Sequence, residues 1–308
     1  MAVPSRYTIL CMQLVQRSVV DLTKARLQFI TAVVLYGTIG TMTRFINLPS
    51  EVVVLVRGSF GALFVLLFQL SQGRRPDAQA IRTNLRWLVA SGILLGLNWV
   101  FLFAAYAHTT VAIASLCNYM APIIVIAISP LVFHEHIGPK RLACIIAAFI
   151  GIVLVSDLPG GISGGVDLTG AGLGLAGALA FVGIVICNKR IGEVDAFDKV
   201  IVQLGISAVT VLPYVLVRNG GIPIGGAGAL SYVLLTVLVV VQTGLAYIFY
   251  FGSMGVLPVQ EIALLGYLEP VVSVLGSALV LHEPLGIAGA IGAAMVIAAA
   301  ALGETVQE

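Results

Sequence analysis

Charge is what this sequence lacks most. Asp, Glu, Lys and Arg together make up 10% of its 308 residues, while hydrophobic residues make up 59%. A typical soluble domain carries roughly 25% charged residues. A chain so poor in charge cannot cover a water-facing surface, which excludes the soluble classes and makes lipid its solvent. Cysteine is also scarce: Cys11, Cys117, Cys144 and Cys187 fit no metal framework and read as small apolar packing residues. No Gly-x-x-x-x-Gly-Lys phosphate loop occurs, so ATP is not the energy source. A membrane enzyme would need convergent acids, a metal motif or a Ser/His pair at one depth. None is legible, because Ser163 lies in a Gly-rich loop and its nearest His falls in another layer. The net charge of +2 gives no sign of an acidic partner, and nucleic acid is not expected as one. No catalytic residue, metal or cofactor is assigned.

Apolar runs and glycine are what the chain has in quantity. The 34 glycines suit membrane helices, which pack closely through small residues. Ten apolar segments follow one another at about 27–46, 50–71, 85–107, 109–133, 139–157, 168–188, 198–218, 229–253, 256–281 and 284–303. Each is near the ~20 residues that cross a bilayer as a helix. Residues 1–26, broken by Arg6, Arg17, Lys24 and Arg26, read as a cytoplasmic leader or interfacial helix, and Met12 offers an alternative start. Residues 304–308 form a cytoplasmic tail. With the N-terminus in the cytoplasm, 13 of the 16 basic residues fall on the inner side, and only Arg44, Arg57 and Arg218 do not. The positive-inside rule therefore places both termini in the cytoplasm.

The segments are two copies of one unit. Tyr119, Pro122, Ser129, His134, Glu135 and Gly138 recur 148 positions later as Tyr267, Pro270, Ser277, His282, Glu283 and Gly286. Segments one and two recur 146 positions later, through pairs such as Gly37/Gly183, Arg44/Arg190 and Val54/Val200. The expected domains are a five-helix repeat over 27–157, a periplasmic linker over 158–167 and a second repeat over 168–303. Five helices is an odd number, so the repeats insert in opposite directions. Inverted repeats are a recurring plan of transporters, with the substrate near midplane between the halves.

These features resemble the drug/metabolite transporter superfamily of the EamA type. The likeness rests on ten helices in two halves and on the paired Tyr-x-x-Pro motifs ending in His-Glu. It rests also on Arg57 and on Asn98-Trp99-x-Phe101 ahead of His108. The resemblance implies a carrier of the plasma (inner) membrane, often an exporter of amino acids, related metabolites or toxic compounds.

The residues that stand out follow from the cost of polarity in lipid. Glu269 lies about 20 Å along its helix, near midplane. It is either a site for a substrate ammonium or a proton, or a structural acid at the backbone loosened by Pro270. Glu261 lies roughly 80° from it on the same helix, so the two could pass a proton, or Glu261 simply reaches the interface. Arg57 can hold a carboxylate with two hydrogen bonds or pair with Glu269 or Glu51. Its approximate mate in the second repeat is Gln203. Trp99, Tyr119, Tyr247 and Tyr267 can line an amphipathic cavity, with Asn98, Asn118 and Gln242 supplying hydrogen bonds. Pro122 and Pro270 should kink their spans. His-Glu pairs ahead of Pro139 and Pro284 read as acids at the positive ends of the following helices, not as metal ligands.

Gly170, Gly174 and Ala178 predict a tight helix contact. Gly286, Gly289 and Gly292 offer either such a contact or a homodimer face. The leading expectation is a secondary transporter moving a small amphipathic metabolite by alternating access. An intramembrane enzyme or an uncoupled channel is the alternative.

Overall fold

The structure is a computed structural model that describes residues 6–132, 138–155, 168–223, 225–254, 256–257, 262, 265–266, 268–283 and 286–305. Among the described residues every regular element is helical. The order is α1 (Arg6–Gly37), α2 (Ile39–Thr43), α3 (Ser50–Ser71), α4 (Ala78–Thr83), α5 (Leu85–His108), α6 (Val111–Asn118), α7 (Ala121–Val132) and α8 (Pro139–Val155). The second half holds α9 (Leu168–Lys189), α10 (Ala196–Asn219), α11 (Gly228–Val239), a π-helical segment (Val240–Leu245), α12 (Ala246–Met254), α13 (Leu268–Leu279) and α14 (Ile287–Thr305). Described helices fall within all ten expected segments. Five of them, α3, α5, α9, α10 and the run Gly228–Ser253, are long and apolar enough to cross a membrane, and four shorter apolar helices accompany them. The chain is an all-α polytopic membrane protein.

Local chemistry sets several boundaries. Thr110 and Asp195 accept hydrogen bonds from Ile113 N and Phe197 N and so cap α6 and α10. Gly220, with φ +66°, ends α10 in the left-handed conformation that costs glycine little. From Arg6 the backbone is helical without a break to Gly37, so the leader continues into the first span instead of standing apart from it.

The spans thought to be kinked at Pro122 and Pro270 are arranged differently. The fourth span is two helices, α6 and α7, separated at Tyr119 and Met120. Pro122 sits in the first turn of α7, and Pro270 in the first turn of α13. There the N–H that proline lacks would have had no helical partner, so the ring starts a helix instead of bending one.

Packing repeats across the halves. α5 lies on α9 and α1 on α12; α6 lies against α9 and α1 against α13. α3 pairs with α10, and α8 with α14. Each of these contacts thus has an equivalent with the repeats exchanged. The row Gly170, Gly174 and Ala178 forms the tight contact its spacing predicts. A Cβ on Gly170 would meet Thr109, and one on Gly174 would lie 2.8 Å from Cys117 Cβ. Ala178 is buried as well. In α14 the Gly292 carbonyl is packed against Gly151 of α8, so this part of the glycine row works within the chain.

The bundle has two ends. Arg44, Ser50, Thr109, Asn219 and Glu283 gather at one, which we term the Arg44 end. Gln69, Arg74, Asn84, Gly192 and Asp198 meet at the other, the Arg190 end.

Candidate substrate site

Among the described residues three interruptions of regular helix surround the middle of the bundle. They are the break at Thr38, the break at Tyr119–Met120 and the π-helical segment Val240–Leu245. Backbone away from regular α-helix is tolerated at membrane depth where protein buries it or a cavity wets it. π-segments in particular gather at functional sites.

Arg57 lies at the centre, buried on α3. Its Nε donates to Thr243 Oγ1 at 2.8 Å, and its guanidinium carbon sits 3.9 Å from the centroid of the Trp99 ring and 6.0 Å from that of Phe103. A cation over an indole face is attracted by the ring quadrupole, most strongly where water is excluded. Among the described residues no carboxylate lies within ion-pair distance of Arg57. Glu51, one of its two expected partners, belongs to the Arg44 end and pairs with Arg218 at 3.5 Å instead. Glu269, the other, is close enough to attract Arg57 without touching it.

Glu269 stands in the first turn of α13, close to the Tyr119 hydroxyl at the break after α6. The positive end of a helix favours an acid at that position. Tyr36, Tyr119, Tyr247 and Glu269 all lie deep in the bundle and yet keep some accessible surface, as residues lining an internal cavity do. The aromatic wall is continuous: Tyr36 meets Tyr247 edge-on at 5.7 Å and Tyr250 at 5.7 Å, and Phe29 stacks on Tyr250 at 4.9 Å. Arg57 and Glu269 thus lie within electrostatic reach of each other beside these aromatic rings, and the region between them is the candidate central cleft.

Gln242, in the π-segment, donates to Thr38 Oγ1 at 2.6 Å and keeps an unpartnered buried carbonyl oxygen. The other candidate amides have protein partners. Asn98 donates to Asn118 Oδ1 at 3.0 Å and to the Gly177 carbonyl at 2.8 Å, which ties α5 to α6 and α9. Gln203 donates to Ser91 and Asn188 and braces α10 against α5 and α9. Tyr267 and Glu261 lie outside the described residues. Sequence reasoning missed Thr243, Tyr36 and Thr38. A lone hydroxyl in an apolar helix carries no signal of its own, and only the neighbouring Gln242 could have drawn attention to Thr243.

A cavity of about 400 Å³ opens at the Arg44 end, walled by Arg44, Glu51, Phe103, Tyr106, His108 and Arg218. Phe103 and Tyr106 form its floor, with rings stacked at 6.0 Å, and Phe103 also borders Arg57. The vestibule therefore ends one aromatic layer from the central cleft.

An all-α bundle with helix contacts duplicated and exchanged between two halves, and a buried cation and acid in its interior, fits the transporter class. Comparison with known proteins agrees. Residues 23–157 and again 168–303 match the EamA-like transporter family, and the chain belongs to that family. An uncharacterized transporter, YxxF, of Bacillus subtilis is 26% identical over 258 residues, covering 81% of this chain and 79% of that protein. An uncharacterized transporter of Archaeoglobus fulgidus is 28% identical over 271 residues, covering 87% and 92%. A solved crystal structure superposes with a TM-score of 0.62 at 21% identity, covering 91% of this chain and 96% of that one, a likeness of fold.

Proposed function

We propose that this transporter is a secondary carrier that moves a small zwitterionic or amphipathic metabolite, of the amino-acid type, outward across the plasma (inner) membrane by alternating access. The distribution of basic residues supports an orientation with both termini in the cytoplasm. The observation that carries the reading is Arg57: buried, held over the Trp99 ring and without a carboxylate in ion-pair reach among the described residues. A guanidinium so placed suits the carboxylate of a visiting molecule, which it can hold with two parallel hydrogen bonds. Glu269 with Tyr119 then takes the ammonium or a proton, and Tyr36, Tyr247 and Trp99 take the apolar part. The duplicated, exchanged packing gives each half the means to adopt the arrangement of the other.

Two measurements test this. Purified protein is heated with amino acids, nucleosides, sugars and cationic drugs in turn. A ligand at 100 times its Kd stabilises the folded state by ~2.7 kcal/mol. Stabilisation by aromatic or branched amino acids is expected, and stabilisation by sugars or cations alone would refute the assignment. In liposome counterflow, Glu269→Gln should slow transport about tenfold or more while the protein still inserts, since a charge and an acceptor are lost together. Full activity of that variant at every pH would remove Glu269 from the mechanism.

A further inference from the structure

Among the described residues, Glu283 makes no hydrogen bond to the helix that follows it in sequence. Its carboxylate crosses to other spans and gathers three donors from three elements. Oε1 accepts from Arg44 Nη2 at 2.5 Å, and Oε2 accepts from the Val111 backbone N–H at 2.9 Å and from the Ser277 hydroxyl. Arg44 also donates to the Thr109 carbonyl at 3.1 Å. The node thus joins the end of α2, the first residue of α6, and the end of α13. Just before Glu283, His282 holds a φ of +53°, the left-handed region that a residue with a side chain seldom occupies. That turn brings the chain back after α13 and sets the carboxylate among its partners. Backbone strain of this kind persists only where the surroundings enforce it.

From this node we propose that Arg44 and Glu283 form the gate that closes the Arg44 end of the transport pathway. The inference rests on the alternating-access reading above. All three elements of the node lead to the central cleft: α2 begins beyond the Thr38 break, α6 ends at Tyr119, and α13 begins at Glu269's turn. The breaks are hinges at cleft level, so α2 and α6 can swing as short units without disturbing the rest of their spans. One layer inward the same helices are joined again, Ser273 donating to Ser115 Oγ at 2.6 Å, with Tyr106 at 3.3 Å from that hydroxyl.

The polar ties between α3 and α10 are arranged differently. α3 and α10 are clamped at both ends, by Glu51 with Arg218 and Asn219 at one and by Asp198 with Gln69 and the Asp77 N–H at the other. Among the described residues the α3–α10 pair is clamped at both ends and serves as frame, whereas the node clamps α2, α6 and α13 at the Arg44 end, beyond the breaks, and serves as gate. When Arg44 leaves, Glu283 keeps the Val111 N–H and the Ser277 hydroxyl, so opening strands no buried charge. An ion pair this close to the surface is also weak enough to open on the timescale of transport.

The test needs no substrate, so it can fail independently of the proposed function. In a background with the four cysteines replaced by alanine, Ser115→Cys is labelled with a membrane-impermeant thiol reagent from the Arg44 side. Labelling should be slow with the gate intact and about tenfold faster in Glu283→Gln, the equivalent of ~1.4 kcal/mol in the closed-to-open ratio. Arg44→Gln should do the same, and it carries the test if Glu283→Gln does not insert. The double variant should label no faster than either single one, because both remove one interaction. Unchanged labelling in an inserted variant would overturn the gate. So would equal acceleration at Ser91→Cys from the Arg190 side, which would mean that the node merely braces the whole bundle.

Discussion

Arg57 lives in an apolar helix on three supports: the indole face of Trp99, the hydroxyl of Thr243 and the attraction of Glu269 across the cleft. A lysine there would keep the charge but not the planar stack, the Nε–H bond or the two-pronged grip on a carboxylate. Arg57→Lys should therefore weaken binding of the ligand found by thermal stabilisation about tenfold, ~1.4 kcal/mol, with insertion unaffected. Binding of parent strength, measured by isothermal titration, would show that the carboxylate goes elsewhere. Charges in a span are legible in sequence because lipid makes them expensive, and so Arg57 and Glu269 stand out. Neutral polar residues are not legible in the same way. Asn98, Asn118 and Gln203 suggest ligand contacts until the neighbouring Gly177, Ser91 and Asn188 are seen to satisfy them. Interhelical hydrogen bonds and substrate hydrogen bonds require the same side chains, and only packing tells them apart.

Helix ends follow the sequence within a few residues, because apolar runs, caps and prolines mark them. Helix breaks do not. The hydrophobic pattern is the same on both sides of Thr38, and the π-segment replaces α-helix inside a run with no proline. Gly244 is its one local mark, at a place where a Cβ would run into the Phe64 ring. Glycine also sets how closely the elements around the cleft approach. A Cβ on Gly37 would sit 2.6 Å from the Glu269 backbone oxygen and 2.7 Å from Val272 Cβ, so α1 and α13 cross almost backbone to backbone. Gly37→Ala must push α13 away, at a cost of about 1–3 kcal/mol, typical of overpacking. Because the displaced segment carries Glu269, ligand affinity should fall along with the melting temperature. An unchanged melting temperature would mean that the crossing is looser than it stands here.

At the scale of the whole molecule, the duplication was legible from residues alone, through matches such as Tyr119/Tyr267 and Glu135/Glu283 at one offset. The division of labour between the copies was not, because it lies in contacts between spans far apart in sequence. Among the described residues the pairing of α3 with α10 is tied at both ends of the bundle, whereas α2, α6 and α13 are tied at the Arg44 end by the Glu283 node. Frame and moving parts should respond differently to loss of a tie. Asp198→Ala leaves the Gln69 amide and the Asp77 N–H without their acceptor, a loss of about 1–3 kcal/mol for buried donors. It should lower the melting temperature, yet leave ligand affinity within about twofold and Ser115→Cys labelling unchanged, since the cleft shares no partner with that site. Arg44→Gln should do the reverse, shifting labelling with little change in melting temperature. If Asp198→Ala instead weakened ligand binding as much as it weakened the fold, α3 and α10 would have to move with the cleft, and the frame would need to be sought in the α8–α14 pair.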